Sequence, residues 1–131
     1  MKIFDCTTFY NENLMLEVRF NILNDFVDKF VITESKYSHS GEKKRLNFDF
    51  KRFDKFKKKI IYLTVDNEPE DLIYEEKEKN VKFENEKNIR DNSIKRIAHQ
   101  RNNLLLGLNE AEDEDYIFYS DNDEIPDFRK F

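Results

Sequence analysis

Four short apolar runs, separated by stretches with helical periodicity, are the feature that most limits what this chain can become. Phe30-Val31-Ile32-Thr33 is continuous rather than alternating. A strand that is apolar on both sides belongs in a sheet covered on both faces, and such sheets are parallel. Ile3–Phe9, Ile60–Val65 and Tyr116–Tyr119 read as three further strands. Between the first two, Met15, Val18, Ile22 and Phe26 recur at spacings of three and four, which predicts a helix laying that stripe on the sheet while Glu17, Arg19 and Asn21 face away. Phe50, Phe53 and Phe56 suit a short amphipathic helix with a basic outer face. Residues 70–88 are nearly all charge and predict a mobile loop or a solvated helix. Ser93 is the expected cap of a second long helix, with Ile94, Ile97, Ala98, Leu104, Leu105 and Leu108 on one face. Strands alternating with helices predict a single α/β domain over residues 1–131 with a mostly parallel sheet.

Composition removes several alternatives. Only two Gly and two Pro are present, which argues against a turn-rich β sandwich or barrel and against Gly-rich phosphate loops. Charged residues reach 39%, but 38% hydrophobic and 15% aromatic content keep the chain out of the disordered class. Cys6 is the single cysteine, so it has neither a disulfide partner nor metal-ligand neighbours; it reads as a small core residue in a reducing compartment. No apolar run approaches membrane-spanning length and none resembles a signal peptide, so a soluble, cytoplasmic protein without a transmembrane segment is expected.

In parallel sheets ligands bind outside the carboxyl ends of the strands, where Glu34, Asp66 and Asp121-Asn122-Asp123 fall. Two carboxylates one residue apart can present oxygens to one hard divalent cation, Mn2+ or Mg2+, and the cation can neutralise a diphosphate. The alternative for Asp121 and Asp123 is an ordinary acidic turn. A second pair, Asp113 and Asp115, precedes its strand and lies at the opposite edge of the sheet. Arg101 is placed near the apolar face of its helix, where it either meets an anion or snorkels to a nearby acid. His39 and His99 are too far apart to suggest a zinc site and read as surface or hydrogen-bonding residues. The net charge of −5 hides a basic stretch over residues 43–59 and an acidic one over residues 110–127. The basic stretch reads as a solvated face, with nucleic-acid or membrane-surface contact as weaker alternatives in an acidic chain that carries no nucleic-acid motif.

Several of these segments together resemble glycosyltransferase family 17, the family of the bisecting β-1,4-N-acetylglucosaminyltransferase. They are Phe4-Asp5-Cys6-Thr7-Thr8-Phe9-Tyr10-Asn11-Glu12, Leu16-Glu17-Val18-Arg19-Phe20, Asp28-Lys29-Phe30-Val31-Ile32-Thr33-Glu34, Ser38-His39-Ser40-Gly41, Lys59-Ile60-Ile61-Tyr62, Gln100-Arg101-Asn102 and Ser120-Asp121-Asn122-Asp123-Glu124-Ile125-Pro126. The resemblance implies a GT-A-like, Rossmann-like nucleotide-binding half and inverting sugar transfer from a nucleotide-sugar, a UDP-sugar by family precedent, to a glycan acceptor. It implies a divalent metal at Asp121 and Asp123. By the same resemblance Thr8, Phe9, Asn11, Glu12 and Glu34 surround the nucleoside, and Arg101 approaches the diphosphate. Family members continue past the Asp-x-Asp motif into an acceptor-binding half, so the expectation is a truncated domain with its general base elsewhere and an exposed strand edge prone to self-association. A non-catalytic α/β interaction module is the competing reading.

Overall fold

The computed structural model describes residues 1–76 and 81–131. Its centre is a four-stranded sheet of β1 (Ile3–Phe9), β2 (Lys29–Ser35), β3 (Ile60–Val65) and β6 (Tyr116–Tyr119), in the order β3-β2-β1-β6. Every neighbouring pair is parallel. All four strands fall where the apolar runs predict them. A two-stranded antiparallel ribbon, β4 (Glu75–Glu76) with β5 (Lys82–Phe83), lies apart from the sheet. The described part of the 70–88 stretch is thus ribbon and helix start, and residues 77–80 of that prediction lie outside the described residues.

Alternation along each strand divides the interior in two. Phe9, Phe30 and Ile32 face a core that helix α1 (Asn13–Leu23) closes with Leu16, Phe20 and Leu23. Phe48, Phe53 and Phe56 complete this core, and the ring of fully buried Phe20 lies 4.5 Å from Phe30, 5.1 Å from Phe53 and 5.4 Å from Phe56. Such tilted and edge-on aromatic contacts contribute beyond their area of burial. The predicted Phe-rich helix is reduced to a 3-10 turn at Asp54–Phe56, with Phe50 left exposed. Phe4, Cys6 and Val31 face the other side, covered by Leu104 in a 3-10 turn at Asn103–Gly107 that follows helix α2 (Glu86–Asn102). Burial pushes the Cys6 thiol up to about 12, with the Asp5 charge adding to it, so Cys6 is the inert core residue its sequence context suggests.

Both long helices are rotated from the predicted orientation. In α1 the buried positions are Leu16, Arg19, Phe20 and Leu23, while Val18, Ile22 and, beyond the helix end, Phe26 are exposed. The segment carries apolar residues around most of its circumference, so two stripes compete; the one holding Phe20 and Leu23 wins because Arg19 finds partners beneath it. In α2 the inward positions are Asn88, Asn92, Arg96 and Gln100, and Ile94 is 58% exposed. The helix also begins earlier than Ser93: Asn85 caps it, its side chain accepting from the Asn88 amide at 2.8 Å. Among the described residues no helix is long and apolar enough to cross a membrane.

Two outcomes follow. A Cβ on Gly107 would sit 2.4 Å from Val31 Cγ1 and 3.2 Å from Leu63 Cδ1. Gly107→Ala should therefore destabilise the chain by about 1–3 kcal/mol through overpacking, measured by denaturant unfolding. Because its thiolate forms only near pH 12, native Cys6 should resist iodoacetamide at pH 8 and react once the chain is unfolded.

Candidate functional site

Beyond the carboxyl ends of β1 and β6 the chain encloses a cleft of about 520 Å3. Its wall includes Thr8 and Phe9 from the end of β1, Glu12 just before α1, Arg101 from α2, and Asp121 and Asp123 from the turn after β6. Six of the residues expected at a site from the sequence are thereby brought together. Asn11 is exposed and outside the lining, and Glu34 is fully buried. Asp66 is also elsewhere: it pairs with Lys36 at 3.0 Å beside a smaller pocket.

The acidic turn is anchored from beneath by Arg19. Its guanidinium is fully buried and makes a two-pronged bond to Asp5, at 2.8 Å from Nε and 2.7 Å from Nη2. Nη2 also donates to the Ser120 hydroxyl at 2.6 Å. Nη1 donates to the carbonyls of Asp121, Glu124 and Asn122 at 2.8, 3.1 and 3.3 Å. Three carbonyls of one turn converge on one guanidinium, so the backbone between Asp121 and Glu124 is fixed while both carboxylates remain exposed. The Met15, Val18, Ile22 and Phe26 stripe turned Arg19 away from the sheet; the sequence signals for it are its place between Leu16 and Phe20 and its membership of the Leu16-Glu17-Val18-Arg19-Phe20 segment.

Further polar side chains fix the remaining walls. Gln100 Nε2 donates to the carbonyls of Phe9 and Thr33 at 3.1 and 3.0 Å, while the Thr33 hydroxyl donates to the Gln100 carbonyl at 3.2 Å, joining α2 to the ends of β1 and β2. Glu34 accepts from Lys44 Nζ, the Asn47 and Phe48 amides and the Tyr62 hydroxyl, at 2.8, 2.6, 3.1 and 2.7 Å. Both its oxygens are thus committed to the 44–48 segment and β3, and burial together with this bond raises the Tyr62 hydroxyl well above its usual range. Arg101 is exposed rather than set against the core, with its guanidinium carbon 5.0 Å from the centre of the Tyr119 ring; the buried arginines are Arg19 and Arg96. The Tyr119 hydroxyl in turn lies 3.3 Å from Asp121 Oδ1.

Asp121 and Asp123 have no ion-pair partner among the described residues, nor do three or more His, Cys, Asp or Glu side chains converge there as a ready-made cage. Asn122 between them is buried, and neither its Oδ1 nor its Nδ2 has a hydrogen-bond partner among the described residues. The site therefore presents two exposed carboxylates as hard oxygen donors on a turn anchored from beneath, a set suited to a cation that brings its other ligands with it.

Removing the anchor should show its role. Arg19→Met keeps much of the volume but leaves Asp5 buried without a partner, and should cost about 3–5 kcal/mol in denaturant unfolding. Adding Asp5→Asn should restore part of that loss; a double variant no more stable than Arg19→Met would mean that the pair does not carry the effect.

Neither a curated protein nor a solved structure matches the chain. The family model for Glycosyltransferase family 17 matches residues 1–130, which spans both ends of the cleft and every element between them. The chain belongs to glycosyltransferase family 17.

Proposed function

We propose that the cleft binds a nucleotide-sugar together with a divalent cation, and that the chain serves an inverting, GT-A-type transfer of that sugar to a glycan acceptor. Membership of a glycosyltransferase family makes donor and acceptor substrates the expected partners. The observation that carries the reading is the meeting of Asp121, Asp123, Arg101, Thr8, Phe9 and Glu12 in one cleft at the carboxyl edge of a parallel sheet, where α/β sheets receive their ligands. A UDP-sugar, with N-acetylglucosamine as the first sugar to test, is the donor we assign.

Each group has a role in this reading. Asp121 and Asp123 would hold Mn2+ or Mg2+, cations that proteins commonly bind through one or two carboxylates. When bound, the cation supplies positive charge that stabilises the departing nucleoside diphosphate. Arg101, held against Tyr119, donates to the phosphates. Thr8, Phe9 and Glu12 border the nucleoside. Glu34 enters as support for the wall, since its oxygens are already used, and Asn11 stands at the margin.

Calorimetry with Mn2+ and UDP tests the proposal directly. Asp123→Ala should weaken metal-dependent UDP binding by more than roughly 10-fold, the loss that even outer-shell partners of a metal produce. Because Asp123 is exposed, the thermal midpoint should hardly move. UDP binding that is absent in the folded chain, or indifferent to both Mn2+ and Asp123, would overturn the assignment.

A further inference from the structure

We propose that His39 is a phosphate-contacting residue of the cleft, set in place by the buried Arg96; the inference rests on the nucleotide-sugar reading above and extends it to a residue outside the acidic turn. His39 lines the same cleft as Asp121, Asp123 and Arg101. It sits at the top of a small arch in which Tyr37 and Lys43 form an antiparallel bridge, the Ser38 amide donates to the Glu42 carbonyl at 2.8 Å and the Gly41 amide donates to the Ser38 carbonyl at 3.0 Å. Exposed arches of this kind are normally among the most mobile parts of a domain. This one is tied down.

The tie is Arg96, which α2 presents with only 6% of its surface exposed. Its Nη1 donates to the His39 carbonyl at 3.1 Å, its Nε to Glu68 at 2.9 Å and its Nη2 to the Tyr74 hydroxyl at 3.3 Å. The arch presses directly on the guanidinium: a Cβ on Gly41 would lie 2.5 Å from Arg96 Nη2 and 2.7 Å from Cζ, and Gly41 has φ +90°, a conformation few side chains accept. Only glycine permits this approach, and through it the backbone of His39 is fixed relative to α2, the helix that also carries Arg101.

The imidazole itself is exposed and has no hydrogen-bond partner among the described residues. Of the side chains lining the cleft, His39 and Arg101 are the two that can carry positive charge, against Glu12, Asp121 and Asp123. Gln100 has no donor to offer, since its amide nitrogen is spent on the carbonyls of Phe9 and Thr33. A diphosphate entering this cleft meets three carboxylates, so nitrogen donors on the wall determine whether it is held once the cation has offset part of the repulsion. An imidazole keeps an N–H in either protonation state, so His39 donates to a phosphate oxygen without any proton being transferred.

The test is calorimetry on the full chain with Mn2+ and, in turn, uridine, UMP and UDP. His39→Ala should weaken UDP binding by roughly 10- to 100-fold, as expected for a hydrogen bond to a charged group. The loss should shrink from UDP to UMP to uridine, and the thermal midpoint should stay put. His39→Gln, which keeps an N–H donor, should recover part of the affinity. Gly41→Ala, which forces the arch away from Arg96, should reproduce the loss of phosphate preference, and combining it with His39→Ala should cost little more than either change alone. UDP binding unchanged in His39→Ala, or weakened equally for uridine and UDP, would overturn the inference while leaving the cleft reading intact. Failure of the unaltered chain to bind UDP would remove both.

Discussion

The Arg19–Asp5 pair is the interaction on which the rest of the site depends. Both side chains are fully buried, and a charge taken from water is tolerated only when partners replace its hydration. Asp5 takes two of the five guanidinium donors, and the carbonyls of the 121–124 turn and the Ser120 hydroxyl take the rest. The guanidinium's remaining donors therefore find their partners only when the end of β6 has paired with β1 and delivered the turn. A residue in the first helix and one in the first strand thus specify the geometry of residues about a hundred positions later, and the fold closes on the site rather than carrying it on a free loop.

The same solution recurs around the cleft. Gln100 joins the ends of β1 and β2 to α2, Glu34 gathers the 44–48 segment, and Arg96 gathers the arch at Gly41. Each is a buried polar group that would be costly if left unpaired, at about 1–3 kcal/mol for a neutral group and more for a charged one. Each is paired to backbone, so the cost of breaking the contact is transferred to the position of a loop. An apolar core fixes elements relative to one another but has no means of specifying where a carbonyl points; these side chains supply that directional information.

This polar interior also explains which parts were legible in the sequence. The strands were readable because a strand covered on both faces must be apolar without interruption, as in Phe30-Val31-Ile32. The edge that carries the cleft was readable because all four strands are parallel, which puts the ends of β1 and β6 side by side. The helix faces were not. In α1 the hydrophobic pattern favours either of two stripes, and the decisive residue is a charged one. In α2 the inward positions Asn88, Asn92, Arg96 and Gln100 keep a regular spacing of four, but a search for apolar periodicity reads that stripe as the solvent side and sends Ile94 inward. Spacing survives as a signal when polarity misleads: polar residues repeated at i, i+4 from Asn88 to Gln100 are as much a face as leucines would be. Arg101, sent toward the core because of its neighbours, was free to lie at the cleft because Arg96 and Gln100 already occupied the inward face.

What the scaffold leaves unsatisfied is as informative as what it pairs. Most buried polar groups named above have partners, yet Asn122, on the turn that Arg19 anchors, has none among the described residues for either atom of its amide, and Asn88 has none for its Nδ2. The neighbouring Asp121 and Asp123 are likewise held by backbone but not neutralised. An amide buried without partners would relax if the turn could move, by swinging toward water. The Arg19 clamp on the carbonyls of Asp121, Asn122 and Glu124 resists that relaxation. The stabilisation of a buried ion pair is thereby set against the unsatisfied Asn122 amide of the same turn, which keeps the turn in one geometry before anything binds and spares a ligand of the cleft the cost of ordering it.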